Sequence, residues 1–506
     1  MANAATYFVD RHVADGRADK TAFREAVTGR SITYGALARA SDTVAGAFAK
    51  CAIRPEERAA LLVLDTLEFP QLFWGALKAG VLPVPLNTLL ATSVYDQILR
   101  DSRAAILFVS APLWEVVAPA LEGNPYLREV FVIGDVPGRA GFDDFLDGAT
   151  PQPATEASDD EAAFWLYSSG STGAPKGVVH VHGALKATAD TYGAQVLGIR
   201  AEDTVFSAAK FFFAYGLGNA MTFPMSVGAT TVIFGGRPTP KDVKDILDTE
   251  APTIFCGVPT LFAAMVAHFD QTGATTAPLR LCISAGEALP EEVGLRWQAQ
   301  TGAEILDGVG STEMLHIFLS NAPGDVVYGT SGLPVPGYEV RLVDEAGADV
   351  APGEVGELLV RGDSAASLYW NKRAKSRETF EGVWTRTGDK YEQRPDGRFV
   401  YCGRTDDMFK VSGIWVSPFE VESAIVTHPA VLEAAVVAAQ DADGLDKPKA
   451  YVVLKADKPD GFEAGVQAMV KEKIGKWKYP RWIEVADELP KTATGKIQRF
   501  KLREDA

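Results

Sequence analysis

FWLYSSGSTGAPKGVVHVHG, residues 164–183, opens as an apolar strand and breaks into a loop of small, hydroxylated and glycine residues. The loop runs Ser168, Ser169, Gly170, Ser171, Thr172, Gly173, Ala174, Pro175, Lys176, Gly177. Glycines let a backbone turn tightly and present N–H groups to an anion. The hydroxyls and Lys176 add donors suited to phosphate oxygens. A Walker A loop fails here, because Pro175 takes the place of its second glycine and Gly177 that of its Ser or Thr. Two readings stand, a phosphate-binding loop and an ordinary Ser/Gly surface loop. The strand in front and the lysine behind favour the first.

Outward from this loop the chain alternates strand and helix patterns. ALLVLDTLEFPQLFWGALKAGVLPVPLN (60–87) reads strand, helix, strand, and AILFVS, VVAPALEGN and EVFVIG repeat the order over 105–134. The polar stretch from Gly134 to Ala162 reads as a long surface connection. ATTVIFGG, TIFCGV, LRLCISAG and AEILDGVG are further strands running into glycine turns, where open α/β sheets place their ligands. The expected fold class is α/β with largely parallel sheets. Beyond about Pro334 the texture becomes β-hairpins. After Gly413 a compact α+β pattern follows: helix 417–428, strands 434–439 and 449–456, a helix over 464–474 and strand 482–489. A boundary is expected near Arg404 to Asp407.

With 506 residues, 47% of them hydrophobic, the chain can bury more than one core. No apolar run is long enough for a transmembrane helix and the first residues lack a signal-peptide pattern, so no membrane association is expected. Cys51, Cys256, Cys282 and Cys402 have neither disulfide-ladder nor zinc spacing, which suits a cytoplasmic location. A net charge of −17 argues against nucleic acid as a partner. The last 104 residues are nearly balanced, with 16 Lys+Arg against 17 Asp+Glu. They hold the cluster Lys471, Lys473, Lys476, Lys478 and Arg481, either a solvated helix face or a landing surface for a polyanionic co-substrate. His180 and His182 lack a third ligand for a metal and read as flanks of the loop.

SSGSTGAPKGVVHVHG resembles the phosphate loop of the adenylate-forming superfamily, which includes acyl-CoA synthetases, peptide-synthetase adenylation domains and luciferases. Six further segments match in the family's order: SAGEALP (284–290), DGVGSTEM (307–314), GELLVRG (356–362), RTGDK (386–390), GRTDD (403–407) and PKTATGKIQR (490–499). SAAKFFFAYGLGNAMTFP, DGVGSTEMLHIFLSN and PKTATGKIQRFKLRE look most like benzoate-CoA ligases. The resemblance implies a large N-terminal domain (1–403) of α/β subdomains plus a β-rich subdomain, a hinge at 404–407, and a small mobile α+β C-terminal domain (408–506). It also implies ATP, Mg2+ and coenzyme A as co-substrates and cofactor.

The chemistry explains why such residues are needed. A carboxylate is a poor acyl donor until it is joined to AMP, and that step brings two anions together, so the site must supply positive charge and donors. By resemblance, Lys496 is the catalytic lysine bridging the carboxylate and the α-phosphate, and Thr312 holds that phosphate. Glu313 is the magnesium-associated acid. Without the family, Thr312-Glu313 also reads as a helix N-cap, Lys496 as a surface lysine and Asp389 as a turn aspartate. Asp389 would accept both ribose hydroxyls and Arg404 would add a second ribose contact. Gly286, Glu287, Ala288, Asp307 and Gly308 match the adenine slot. Asp406 matches the pivot of the C-terminal domain. In one pose Lys496 reaches the site. In the other, Val411, Ser412, Gly413, Ile414 and Trp415 face it and line the CoA channel. Lys410 rides on the same loop and would touch nucleotide or acyl group in one pose.

The acyl pocket implied by the family comprises Phe213, Ala214, Tyr215, Gly216, Val258, Gly308, His316 and Ile317. Aromatic walls with small residues suit a flat ring. Phe211 and Phe212 read equally well as a core strand. No Asp or Glu occurs from Val205 to Lys241, which disfavours an α-amino acid. The expected substrate is an aromatic carboxylic acid, benzoate or a small substituted benzoate such as 4-hydroxybenzoate. His316 either bonds a ring hydroxyl or packs against a bare ring. The rivals are a medium-chain aliphatic acyl-CoA synthetase, a luciferase-like oxygenase and a nucleotide-binding regulator. The segment around Lys496 also resembles reversible acetylation sites, so a lysine acetyltransferase and deacetylase are expected partners. The oligomeric state stays open, a homodimer being one candidate.

Overall fold

Apolar runs that are buried along their whole length build the parallel sheets. Ile106–Ser110 is buried at every position, as a strand covered on both faces must be. The computed structural model describes residues 3–169, 175–405, 407–411, 414–441, 445–475, 477–491 and 497–504. Contacts divide the chain into two units, Met1–Val340 with Val360–Arg386, and Arg341–Leu359 with Thr387–Ala506. Arg404 and Asp407, the ends of the expected hinge, both lie in the second unit.

In the first unit, Leu82–Pro85, Arg58–Leu62, Ile106–Ser110 and Glu129–Ile133 form a four-stranded parallel sheet. A nine-stranded sheet runs Leu333–Pro334, Ile317–Ser320, Ile305–Gly310, Leu281–Ser284, Ile254–Gly257, Thr204–Ser207, Thr230–Ile233, Thr21–Glu25 and Ser31–Thr33, with a parallel centre. The strand–helix–strand reading of 60–87 holds, since the helix Glu68–Lys78 joins two strands of the four-stranded sheet. Its last residue, Lys78, is fully buried, and its ammonium is held by Asp10 and Asp42 at 2.6 Å each. A buried ammonium needs such partners, because losing one would leave a desolvated charge.

Two expectations change. The stretch 134–162 is not a plain surface connection. It contains the helix Phe142–Leu146, whose Phe145 is buried among Phe48, Phe108 and Phe131. Beyond that helix the backbone is tied down by Gln152 N to Asp42 O (2.9 Å) and Thr155 N to Lys78 O (2.8 Å). The carbonyl of Thr150 occupies the space a side chain at Gly46 would need, so only glycine fits there. Phe211 and Phe212 are core residues, but in a turn rather than a strand. Phe211 stacks on Phe69 at 4.7 Å, so its burial comes from ring packing and not from a sheet ladder.

The second unit has a three-stranded sheet, Val431–Gln440, Asp446–Leu454 and Trp482–Val485. The helices Pro418–Val426 and Phe462–Ile474 pack against one face through Val421, Ile425, Val436, Val452, Val466 and Val470. Ser417 caps the first helix by accepting from Glu420 N at 3.1 Å. A terminal helix, Arg499–Glu504, seats Leu502 in a cluster with Ala435, Val437, Tyr451, Val453 and Leu489. Among the described residues no helix is long and apolar enough to cross a membrane, and all four cysteines are free.

Candidate active site

The two arms of the glycine-rich segment form an antiparallel hairpin, Ala162–Ser169 with Pro175–Val181. Its last pairs, Ser168 with Lys176 and Ser169 with Pro175, close on the loop. Gly170, Ser171, Thr172 and Gly173 lie outside the described residues. Leu368–Tyr369 adds a third strand, placing Tyr369 opposite Val178. The Tyr369 hydroxyl donates to Glu313 Oε1 at 2.6 Å. Lys176 Nζ lies 4.0 Å from the same oxygen and 4.5 Å from the centre of the Tyr369 ring. Lys176 and Glu313, 137 residues apart, are therefore neighbours, with Tyr369 as the piece between them.

Thr312 and Glu313 sit in the connection between strands Ile305–Gly310 and Ile317–Ser320, so the helix N-cap reading is not met. That connection is held locally by Met314 N to Ser311 Oγ (3.1 Å) and Leu315 N to Thr312 O (3.1 Å), with Leu315 at φ +64°. Ala366 N donates to Glu313 O at 2.8 Å, tying it to the residues just before the strand that carries Tyr369.

The segments matched to the adenine slot are brought side by side by parallel pairing of Ser284 with Asp307. Gly286, at φ +98°, Glu287 and Ala288 form the turn after one strand. Asp307 and Gly308 lie on the next. Asp307 Oδ2 accepts from Leu289 N at 3.3 Å, and burial pushes its carboxyl up to about 8.

The residues expected to form the acyl pocket gather as well. Phe213, Ala214 and Tyr215 are half-buried and Gly216 is buried at the start of a helical stretch from Ala214. The Tyr215 hydroxyl reaches Gly257 O (3.0 Å) and Ile283 O (2.9 Å), linking this segment to the ends of two adjacent strands beside Val258. His316 is buried in a box of rings, with centroids at 4.5 Å to Phe223, 5.2 Å to Tyr192 and 5.7 Å to Tyr215. Its Nε2 lies 3.3 Å from Tyr215 O, and burial pushes its pKa down to about 3, so the ring is neutral. Ile317 packs against Gly308, whose absent side chain would meet Ile317 Cγ2 at 3.0 Å. A side chain at Gly218 would come within 2.7 Å of His316 Nε2.

In the second unit Asp389 and Arg404 are paired across adjacent strands, with Arg404 NH1 2.9 Å from Asp389 Oδ1. Gly388, at φ +72°, adopts a left-handed backbone that a side chain would strain, and Arg404 NH2 lies 2.9 Å from where its Cβ would stand. The backbones of Lys410, Val411, Ile414 and Trp415 form a two-stranded ribbon. Asp406, Ser412, Gly413 and Lys496 lie outside the described residues.

Tyr369, Tyr192, Phe223 and Gly218 were not singled out in the sequence. LYW, DTYG and GLGNAMTFP contain the aromatics and the glycine, but only the fold turns them toward Glu313 and His316. The histidine pair has no metal role in the geometry. His180 is fully buried, stacked on Phe164 at 5.0 Å and pushed down to about 3 by burial. His182 Nδ1 accepts from Ala4 N at 3.2 Å. Among the described residues no group of three His, Cys, Asp or Glu could hold a metal ion. Magnesium takes most of its ligands from phosphates and water and needs one or two carboxylates. Glu313, 16% exposed and beside Lys176, fits that demand.

The AMP-binding enzyme family matches residues 10–370, and the AMP-binding enzyme C-terminal domain matches 420–496. A 4-hydroxybenzoate--CoA/benzoate--CoA ligase of Rhodopseudomonas palustris is 51% identical over 99% of this chain and 94% of its own. A benzoate--CoA ligase of Thauera aromatica is 51% identical over 99% of this chain and 95% of its own. The crystal structure of a benzoate CoA ligase from Burkholderia xenovorans LB400 aligns with a TM-score of 0.91 at 48% identity, covering 99% of this chain and 100% of that one. Matched over both signature regions and at half of all positions along full-length relatives, the chain belongs to the AMP-binding, adenylate-forming enzyme family.

Proposed function

We propose that this chain is an AMP-forming benzoate-CoA ligase. It joins benzoate, or a small substituted benzoate such as 4-hydroxybenzoate, to the AMP moiety of ATP with release of pyrophosphate. The thiol of coenzyme A then displaces AMP to give the thioester. The observation that carries the reading is the ring-lined box of Tyr192, Tyr215, Phe223 and neutral His316 on the same unit as the Lys176–Glu313 pair. A flat apolar acid and a polyphosphate are the two reactants such neighbours suit.

Thr312 and the hydroxyls of residues 168–172 donate to phosphate oxygens, and Lys176 adds a cation. Glu313 would hold magnesium, which would supply positive charge to offset that of the phosphates. Asp389, oriented by Arg404, accepts the ribose hydroxyls. The turn 286–288 and Asp307-Gly308 flank the adenine. Lys496 offers its ammonium to the attacking carboxylate and the α-phosphate, where negative charge accumulates. Rotation about Asp406 then withdraws Lys496 and brings Lys410 to Trp415 to the thiol's path. The basic residues 471–481 suit the phosphates of coenzyme A.

Acetylation of Lys496 would remove its charge and stop the first half-reaction. Four free thiols suit a cytoplasmic enzyme. A homodimer is an assembly that light scattering would test. The deciding experiment is a panel of aromatic and aliphatic acids assayed for pyrophosphate release and CoA-thioester formation. Benzoate and 4-hydroxybenzoate are expected to lead. Preference for a medium-chain aliphatic acid, or turnover without coenzyme A, would sink the reading.

A further inference from the structure

The tail that carries Lys496 is held at both feet by groups the resemblance does not assign. On one side, Lys491 pairs with Glu433, its Nζ 2.6 and 2.7 Å from the two carboxylate oxygens. On the other, Ile497 bridges back to Lys491 in an antiparallel pair, and Gln498 N donates to Pro490 O at 2.8 Å. Two residues further on, Arg499 makes a fork with Glu422, Nε to Oε1 at 3.0 Å and NH2 to Oε2 at 2.7 Å. Glu422 is on the helix Pro418–Val426, and its Oε1 also accepts from Val436 N at 2.8 Å. The carboxylate is therefore fixed from the sheet and from the tail together. These side chains are poorly accessible, 20% exposed for Arg499 and 9% for Glu422.

The same guanidinium has a second partner. Arg499 NH1 is 3.4 Å from Asp407 Oδ2, and Arg503 NH1 is 3.0 Å from Asp407 Oδ1. Asp407 directly follows Asp406. One arginine thus ties the outer foot of the Lys496 segment to the residue beside the pivot, and a second arginine one helical turn later repeats the tie. Burial and a two-pronged geometry make this fork more directional than an exposed lysine pair.

We propose that Arg499 is a positioning residue for adenylation: by tying the start of the helix that follows Lys496 to Glu422 and to Asp407, it fixes the residues that flank the catalytic lysine and the pivot. The inference rests on the assignment of Lys496 given above. It predicts an effect on one half-reaction only, because the thioester step proceeds with Lys496 withdrawn.

The test uses the full-length enzyme with Arg499→Lys, Arg499→Met and Asp407→Asn. Each is assayed for pyrophosphate release with benzoate and MgATP, and separately for benzoyl-CoA formation from supplied benzoyl-AMP. Arg499→Met is expected to slow pyrophosphate release at least thirtyfold and leave thioester formation within twofold. Arg499→Lys should recover part of the loss, and Asp407→Asn should fall between. Should Arg499→Met not fold, as judged by thermal melting, the lysine and asparagine variants carry the test. Equal loss in both half-reactions, or no loss in either, would overturn the proposal. Failure of the unmodified enzyme to activate benzoate would instead overturn the functional reading.

Discussion

Tyr369→Phe isolates one hydroxyl in the candidate site. The ring keeps its place opposite Val178, 5.3 Å from Phe380 and 4.5 Å beneath the Lys176 ammonium. The 2.6 Å hydrogen bond to Glu313 Oε1 is lost. A hydrogen bond to a charged group contributes about 1.5–3 kcal/mol. Glu313 is 16% exposed, so water can partly replace the donor, and the lower part of that range, about 1.5–2 kcal/mol, applies. That corresponds to roughly a 10- to 30-fold effect. Tyr369 orients the carboxylate rather than touching substrate, so the loss should appear as a higher magnesium requirement for pyrophosphate release. Formation of benzoyl-CoA from supplied benzoyl-AMP should be unchanged. The assay is a magnesium titration of benzoate-dependent pyrophosphate release, with the thioester half-reaction as its internal control. Magnesium dependence and rate within twofold of the unmodified enzyme would refute the assignment of Tyr369 and weaken that of Glu313.

Lys496→Ala should cut adenylation by about 100-fold or more, the cost of one well-placed donor, while leaving thioester formation from benzoyl-AMP largely intact; stopped assays of each half-reaction decide it. Gly218→Ala places a methyl group 2.7 Å from His316 Nε2 and 3.0 Å from Phe223 Cζ. The overpacking should cost about 1–3 kcal/mol and raise KM for benzoate more than for ATP, and equal effects on both would count against His316 as a pocket wall. His180, held neutral by burial, binds its proton only near pH 3, whereas the unfolded chain takes one up near 6.5. Its contribution is therefore complete above 6.5 and lost as pH falls toward 3, at about 1.4 kcal/mol per pH unit. Asp307 works in the opposite sense. It stays protonated up to about 8, so its contribution is present below the ordinary carboxylate range near 3.8 and declines as pH rises from there to about 8. His180→Phe should flatten the acid limb of thermal stability by about one proton between pH 6 and 4, and an unchanged slope would contradict a neutral buried imidazole.

Much of the architecture was legible because parallel strands advertise themselves. ILFV at 106–109 is apolar throughout, and a helix must follow to reach the next parallel strand. The strand in front of the glycine-rich loop was likewise read from a local pattern, whereas Asp389 and Arg404 were reached only through the family resemblance. What stayed hidden depends on distant partners. Phe145 looks like a lone aromatic in a polar stretch until Phe48, Phe108 and Phe131 surround it. Phe211 to Phe213 carry strand propensity, yet the Phe69 ring favours a turn there over a ladder. Thr312-Glu313 has cap chemistry, but antiparallel pairing of Val309 with Leu319 leaves no room for a helix. Tyr369 gains a role only because a two-residue strand docks beside the phosphate-loop hairpin.

The chain between Asp147 and Thr155 has practical importance for anyone modifying this enzyme. By composition it is an inviting place to splice in an affinity tag or a protease site. The Thr150 carbonyl pressed onto Gly46, and the bonds from Gln152 to Asp42 and from Thr155 to Lys78, make it a strap across two helices. Asp42 and Lys78 are also an ion pair, so a graft there would pry at a buried charge as well as a backbone. The turn at Gly138, where an added Cβ would meet nothing within 4 Å, is the safer point of entry.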